Sequence, residues 1–187
     1  MREIIDQLEN SLTSKNYYLS LMAALAVPDI AAALESPDGR ASGQKYAEWF
    51  DKWVRPAAFA AMWDKIPAHS RFPELRETLN DAVLMGVDCY RFRCTMLHQG
   101  HTQHPQGKFA RIMFVEPGAF AGPIHHGIIN DALIIDLNSF CREVITGARG
   151  WLNSMASNPH YLANEPKSIR RHPAGLPGYV GGIPVIS

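Results

Sequence analysis

Tyr46, Trp49, Phe50, Trp53 and Val54 stand at i, i+3, i+4, i+7 and i+8. In a strand that spacing would scatter five large apolar side chains over both faces. In an α-helix it gathers them on one, so the segment predicts an amphipathic helix with a buried aromatic face. The same period recurs on both sides of it. Ile4, Ile5, Leu8 and Leu12 mark a helix over 3–14 with a polar back. Tyr17, Tyr18, Leu21, Met22, Leu25 and Ala26 cover so much of a helix surface that the segment suits the middle of a bundle. Leu75, Leu79, Ala82, Val83, Gly86, Cys89, Tyr90 and Leu97 form one face of a long helix from about Glu74 to Leu97. Glu77, Asn80, Asp81, Asp88, Arg91 and Thr95 form its polar face. Phe140, Val144, Ile145, Ala148, Trp151, Leu152 and Met155 define a last helix, with Asn138 or Ser139 as its cap.

Prolines, glycines and short polar residues punctuate these periods. Pro28 is expected to bend or end the second helix, with Asp29 to Leu34 continuing as a short turn. Ser36-Pro37-Asp38-Gly39 reads as a turn, because Pro presets φ and Gly permits positive φ. Ser42 is placed to cap the helix that follows. Pro56 and Pro67 bracket a short apolar element with Phe59, Met62 and Trp63. Gly100 is a natural C-terminal stop. Beyond it, Phe109 to Val115 reads as a strand and Ala132 to Ile135 as a second. The segment 116–131 between them is long for a tight hairpin. The last residues, rich in Pro and Gly from Pro173 to Pro184, are expected to be extended or disordered, or an arm laid on a partner. The expected fold is therefore mainly α, a helical bundle with a small inserted two-stranded β element, or α+β by strict count. One domain spans 1–165 with the β ribbon at about 109–136, and 166–187 forms a tail.

Composition bounds the function. The 187 residues carry 18 Lys and Arg against 18 Asp and Glu, and 47% are apolar. Such a chain buries a core rather than remaining disordered. Zero net charge removes bulk nucleic-acid binding by basic excess, and leaves room only for a local basic patch. Cys89, Cys94 and Cys141 lack Cys-x-x-Cys spacing and form no disulfide scaffold, which fits a reducing cytoplasm. Acidic residues near the start interrupt any signal-peptide pattern. The apolar run Tyr17 to Val27 is about half of what a membrane span requires. The expectation is a soluble cytoplasmic protein with no membrane partner.

The segment richest in chemistry is Asp88-Cys89-Tyr90-Arg91-Phe92-Arg93-Cys94-Thr95-Met96-Leu97-His98-Gln99-Gly100. It ends a long helix with Arg93-x4-His98 and also contains Arg91-x6-His98. These residues resemble the motif of the HEPN superfamily (higher eukaryotes and prokaryotes nucleotide-binding). Its members are α-helical bundles, many bearing Arg-x4–6-His on a long helix, often with a small residue or Gly just after the His. The common form has Asn directly after the Arg, where this chain has Cys94. Many members are metal-independent ribonucleases of toxin, defence and RNA-processing systems, and usually act as dimers that bring two motifs together. The resemblance thus implies an RNA-acting protein, an endoribonuclease site at a homodimer interface, no cofactor, and a cognate antitoxin or regulator as a further partner.

The residues suit that chemistry. RNA cleavage by the neighbouring 2′-hydroxyl needs a proton acceptor, a proton donor and a cation for the phosphorane. His98 is the candidate acid/base. Arg93 and Arg91 are the candidate phosphate binders, since a guanidinium matches phosphate oxygens and stays charged. One histidine cannot readily be both acid and base, and a two-fold dimer supplies the second. On a helical wheel His98 lies about 140° from Arg93 and about 20° from Arg91, so direction favours Arg91 as the partner of His98. Arg93 then falls within the apolar stripe and needs a carboxylate.

Five of the eight histidines lie between 98 and 126. His101, His104, His125 and His126 are candidate substrate-binding groups, and His125-His126 become second proton carriers if the β element folds back on the motif helix. His98, His101 and His104, with two residues between each, are the weaker alternative of a metal site. Three readings stay open: a ribonuclease, a non-catalytic dimeric adaptor of the same fold, and a small His-rich metal-binding protein.

Overall fold

The computed structural model describes residues 1–119 and 124–187. Eight α-helices are formed among them. They are α1 (Arg2–Thr13), α2 (Tyr17–Glu35), α3 (Gly43–Trp53), α4 (Arg55–Trp63), α5 (Pro73–Ala82), α6 (Gly86–Gln99), α7 (Leu137–Ser154) and α8 (Pro159–Asn164). The protein is mainly α with small β elements, as the periodicity predicts.

The centre is α2, packed by α1, α3, α6, α7 and α8. Its Ala24, Leu25, Val27 and Ala31 are fully buried. The aromatic face of α3 closes on it: Tyr46, Trp49 and Phe50 are buried, and the Tyr46 hydroxyl donates to the Leu25 carbonyl at 3.1 Å. Trp49 meets Trp151 of α7 edge-on at 6.1 Å. Burying each such side chain stabilises the fold by about 1.5–3 kcal/mol. Ser42 caps α3 as its position suggests, accepting the Lys45 N–H. The cap of α7 is instead Asp136, which accepts the Ser139 N–H at 2.7 Å.

Two helix boundaries differ from expectation. Pro28 neither ends nor breaks α2, which runs on to Glu35. Proline lacks only its own N–H, and the packing around α2 holds the helix through the one lost bond. At full length α2 is long and apolar enough to cross a membrane by length and composition, and half of it is buried inside the bundle, as in a core helix. The long helix expected over 74–97 is two helices. Val83 takes an extended conformation, with ψ 133°, and Val83 and Leu84 turn into the core. Gly86 then opens α6 against α3, where a Cβ would collide with the backbone of Ala47. The Gly86 N–H donates to Asp51 Oδ1 at 2.8 Å and fixes this second start.

The β element is a three-stranded sheet in the order β1-β3-β2, with β1 (Arg111–Val115), β2 (Gly127–Ile129) and β3 (Ala132–Asp136). β1 and β3, the two segments read as strands, run parallel from Arg111↔Ala132 to Val115↔Asp136. Parallel neighbours need a crossover rather than a hairpin, which accounts for the length of 116–131. Residues 120–123 of that connection lie outside the described residues. β2 adds antiparallel to β3 through a two-residue turn, in which Asn130 has φ 55°. Phe114 joins the sheet to the bundle, with its ring 5.4 Å from Phe92 and 5.1 Å from Phe140.

The tail takes the extended form among those expected, in short paired strands. β4 (Arg171–His172) pairs with β7 (Val185–Ile186), and β5 (Gly175–Leu176) with β6 (Val180–Gly181). The Arg171 N–H donates to Glu3 Oε2 at 3.1 Å and ties this ribbon to α1.

Candidate functional site

α6 ends in a left-handed residue, Gly100 with φ 68°, and the Gly100 and His101 N–H groups return to the carbonyls of Met96 and Thr95. That cap stops the helix directly after His98, which is exposed. Arg93 Nη1 lies 2.8 Å from His98 Nε2. A guanidinium only donates, so Nε2 is the acceptor and the ring proton of His98 sits on Nδ1.

Arg93 is held from behind. Its Nε lies 2.6 Å from Asp29 Oδ2, with side chains only 20% and 18% exposed. The two atoms lack the alignment of a hydrogen bond, so the contact is an ion pair. This is the carboxylate that the buried position of Arg93 requires. Asp29 follows Pro28 in the otherwise uncharged stretch Tyr17–Leu34, so its charge was visible in the sequence while its partner was not. Burial raises the Asp29 carboxyl above its ordinary value, opposed by Arg93 and His98. Burial alone would lower the Arg93 guanidinium, but Asp29 and Cys94 hold it above its ordinary value. Tyr90, one turn before Cys94, is raised by hydrogen bonding to Cys94 and then by burial. Its ring lies 5.4 Å from that of Tyr46.

The direction argument for Arg91 is overturned. Arg91 Nη1 pairs with Asp88 Oδ1 at 3.2 Å. Asp88 is buried and also accepts the Lys108 N–H at 3.1 Å. A wheel gives the direction of Cβ, whereas the long side chain of Arg93 carries its guanidinium along the helix to His98.

The remaining histidines divide into two groups. His101 is exposed, and His104 Nδ1 accepts the Gln106 N–H at 3.1 Å within its own loop. His98, His101 and His104 form no cluster of converging ligand atoms, so the weaker metal alternative lacks its geometry. His125 and His126 lie elsewhere. His125 Nε2 is 2.9 Å from Glu143 Oε1 of α7, and its Nδ1 accepts the Asp136 N–H at 3.2 Å. His126 is buried, has φ 57°, and its Nδ1 accepts the Leu84 N–H at 3.3 Å. Burial pushes His126 down to about 3, with help from His125 and Arg55. Both histidines are engaged away from the Arg93–His98 pair.

The two helices that carry the Asp29–Arg93–His98 contacts also expose apolar surface. Tyr18, Leu19 and Met22 of α2 are 78%, 61% and 41% exposed, and Val87 at the start of α6 is 41% exposed. Ala26 and Ile30 continue the α2 strip half-buried toward Asp29, as do Tyr90 and Leu97 on α6. No family model matches the chain, and no curated protein or solved structure is significantly similar to it.

Proposed function

We propose that the chain is a HEPN-like, RNA-acting protein whose Arg93–His98 pair cleaves RNA without a metal ion, in a composite site at a homodimer interface. The 2.8 Å contact between Arg93 and an exposed His98 carries this reading. An adaptor would pack His98 against a carbonyl or carboxylate, and here it faces a guanidinium at the surface. The apolar strip of α2 and α6 supports the dimer, because it runs along the two helices that hold the pair and its outer residues are exposed. A two-fold axis through that strip brings a second His98 toward the first.

In the mechanism, Arg93 turns its Nη groups from His98 to the scissile phosphate, which frees Nε2. One His98 takes the 2′-hydroxyl proton as O2′ attacks phosphorus. Arg93 balances the charge of the phosphorane, and the second His98, protonated, gives its proton to the departing 5′-oxygen. Asp29 keeps the guanidinium at the surface end of its pocket. The three free thiols accord with a cytoplasmic setting, and a cognate antitoxin or regulator would be its further partner.

The test incubates wild type and His98→Ala with mixed RNA in EDTA. Cleavage by wild type alone, unaffected by the chelator, supports the reading. Two folded, dimeric and inactive proteins favour the adaptor.

A further inference from the structure

We infer that His125, His126 and Glu143 form a binding site for a zinc-class divalent cation. This inference does not depend on the nuclease reading, since none of its residues contacts Arg93 or His98.

Adjacent residues in extended chain point their side chains to opposite faces. His125 and His126 do not: their ring centroids are 4.1 Å apart. The left-handed backbone at His126, φ 57°, turns the second ring back beside the first. A non-glycine residue persists there only when its surroundings impose it, and such positions concentrate at ligand clamps. Glu143 then reaches the same point from α7, so that one ligand atom from each of the three lies within 4.8 Å of the others. Donors set tetrahedrally at ordinary zinc distances stand about 3.3 Å apart. The cluster brackets that value, with 2.9 Å between His125 Nε2 and Glu143 Oε1. Two imidazoles and a carboxylate are a zinc donor set, with a fourth position left for water.

The second observation is an orphan. His126 Nε2 is buried and has no hydrogen-bond partner among the described residues. His126 is only 4% exposed, and the His125 and Glu143 side chains are 5% and 11% exposed. A nitrogen so enclosed is costly when left unpaired. The positive charges nearby are accounted for: Arg55, which bears on His126, is held by Asp51 and by the Asn80 carbonyl.

Ligation changes the hydrogen bonding. In the empty site both Nδ1 atoms accept backbone N–H groups, from Asp136 at 3.2 Å and Leu84 at 3.3 Å. Each neutral ring therefore carries its proton on Nε2. A metal at Nε2 moves that proton to Nδ1 with no net release, and the two long backbone contacts are given up. The ion would pin the start of β2 to α7.

The test strips the chain with chelator and titrates it with Zn²⁺, using Co²⁺ as the visible probe. The expected result is one ion per chain, a higher thermal midpoint, the absorption of four-coordinate Co²⁺, and faster hydrogen exchange at the Leu84 and Asp136 amides. Loss of an outer hydrogen-bonding group alone costs 10–100-fold in affinity, so Glu143→Gln and His126→Ala should each weaken binding by about 100-fold or more. Glu143→Gln can still accept the His125 Nε2–H, and so separates ligation from folding if His126→Ala unfolds. His98→Ala should bind as wild type does. No stoichiometric ion, undiminished binding by Glu143→Gln, or binding lost in His98→Ala would overturn the inference.

Discussion

Asp29 of α2 and Arg93 of α6 meet at 2.6 Å across the seam between their helices, and on its far side the same guanidinium lies 2.8 Å from His98. The contacts run from a half-buried carboxylate to an exposed imidazole. A carboxylate at the inner end anchors the cation, and the cation orders the imidazole. Removing the inner member should therefore disturb the outer one.

Asp29→Asn leaves a mostly buried guanidinium without its counter-ion. At neutral pH, where the carboxylate no longer adds stability, the expected effect on urea unfolding is small, and the change falls on the position of the Arg93 guanidinium. The pH dependence gives a second handle. The folded-state pKa of Asp29 is raised above 3.8, so its contribution to stability is fully present below that value and is lost as pH rises through the folded value. Asp29→Asn should remove that loss. Equal slopes for the two proteins just above pH 3.8 would show that Asp29 is not so perturbed.

His126 works in the opposite direction. Its folded pKa is lowered from 6.5 to about 3, so its contribution is present above 6.5 and is lost as pH falls toward 3. The metal-free chain should lose up to about 1.4 kcal/mol of unfolding free energy per pH unit in that window from this one ring. His126→Asn, whose side chain tolerates the left-handed backbone, should flatten the decline in urea titrations. An unchanged decline would assign it to other groups.

Two glycines in helices should respond with opposite signs. A Cβ at Gly86 collides with the backbone of Ala47, and neither partner is a flexible side-chain tip. Gly86→Ala should cost about 1–3 kcal/mol by overpacking and push α6 off α3. A Cβ at Gly150 meets only the Trp53 ring at 3.9 Å, an ordinary contact. Gly150→Ala should add about 0.5–1 kcal/mol through helix propensity. Thermal unfolding of the pair checks both signs.

Met22→Glu and Tyr18→Glu place charge on exposed parts of the α2 strip, where the fold itself has little to lose. Sedimentation should show a dimer for wild type and a monomer for the double variant, with unchanged helicity. A monomeric wild type would remove the composite site.

Helices α1, α2, α3 and α7 were legible because their apolar residues repeat at the period of the element itself. The break at Val83–Met85 was not, since the apolar stripe continues across it and Gly86 fits either reading. The requirement of Arg93 for a carboxylate was legible, because an arginine in an apolar stripe must be paired. Its partner was not: Asp29 lies 64 positions away, and periodicity carries no information about which helices touch. Of the two candidate arginines, direction on the wheel favoured Arg91 because a wheel does not register that Asp88, itself buried, captures it. Glu143 was hidden likewise, on the helix after the strands, until the fold set it beside His125.

The central claim is that Arg93 and His98 act together on RNA. The most direct measurement compares cleavage of one unstructured RNA by wild type, Arg93→Ala and His98→Ala, and identifies the product ends. The account predicts 2′,3′-cyclic phosphate and 5′-hydroxyl ends, with each variant slowed by about 10²–10⁴-fold while remaining folded. Cleavage by His98→Ala at the wild-type rate, or products ending in a 3′-hydroxyl, would contradict it.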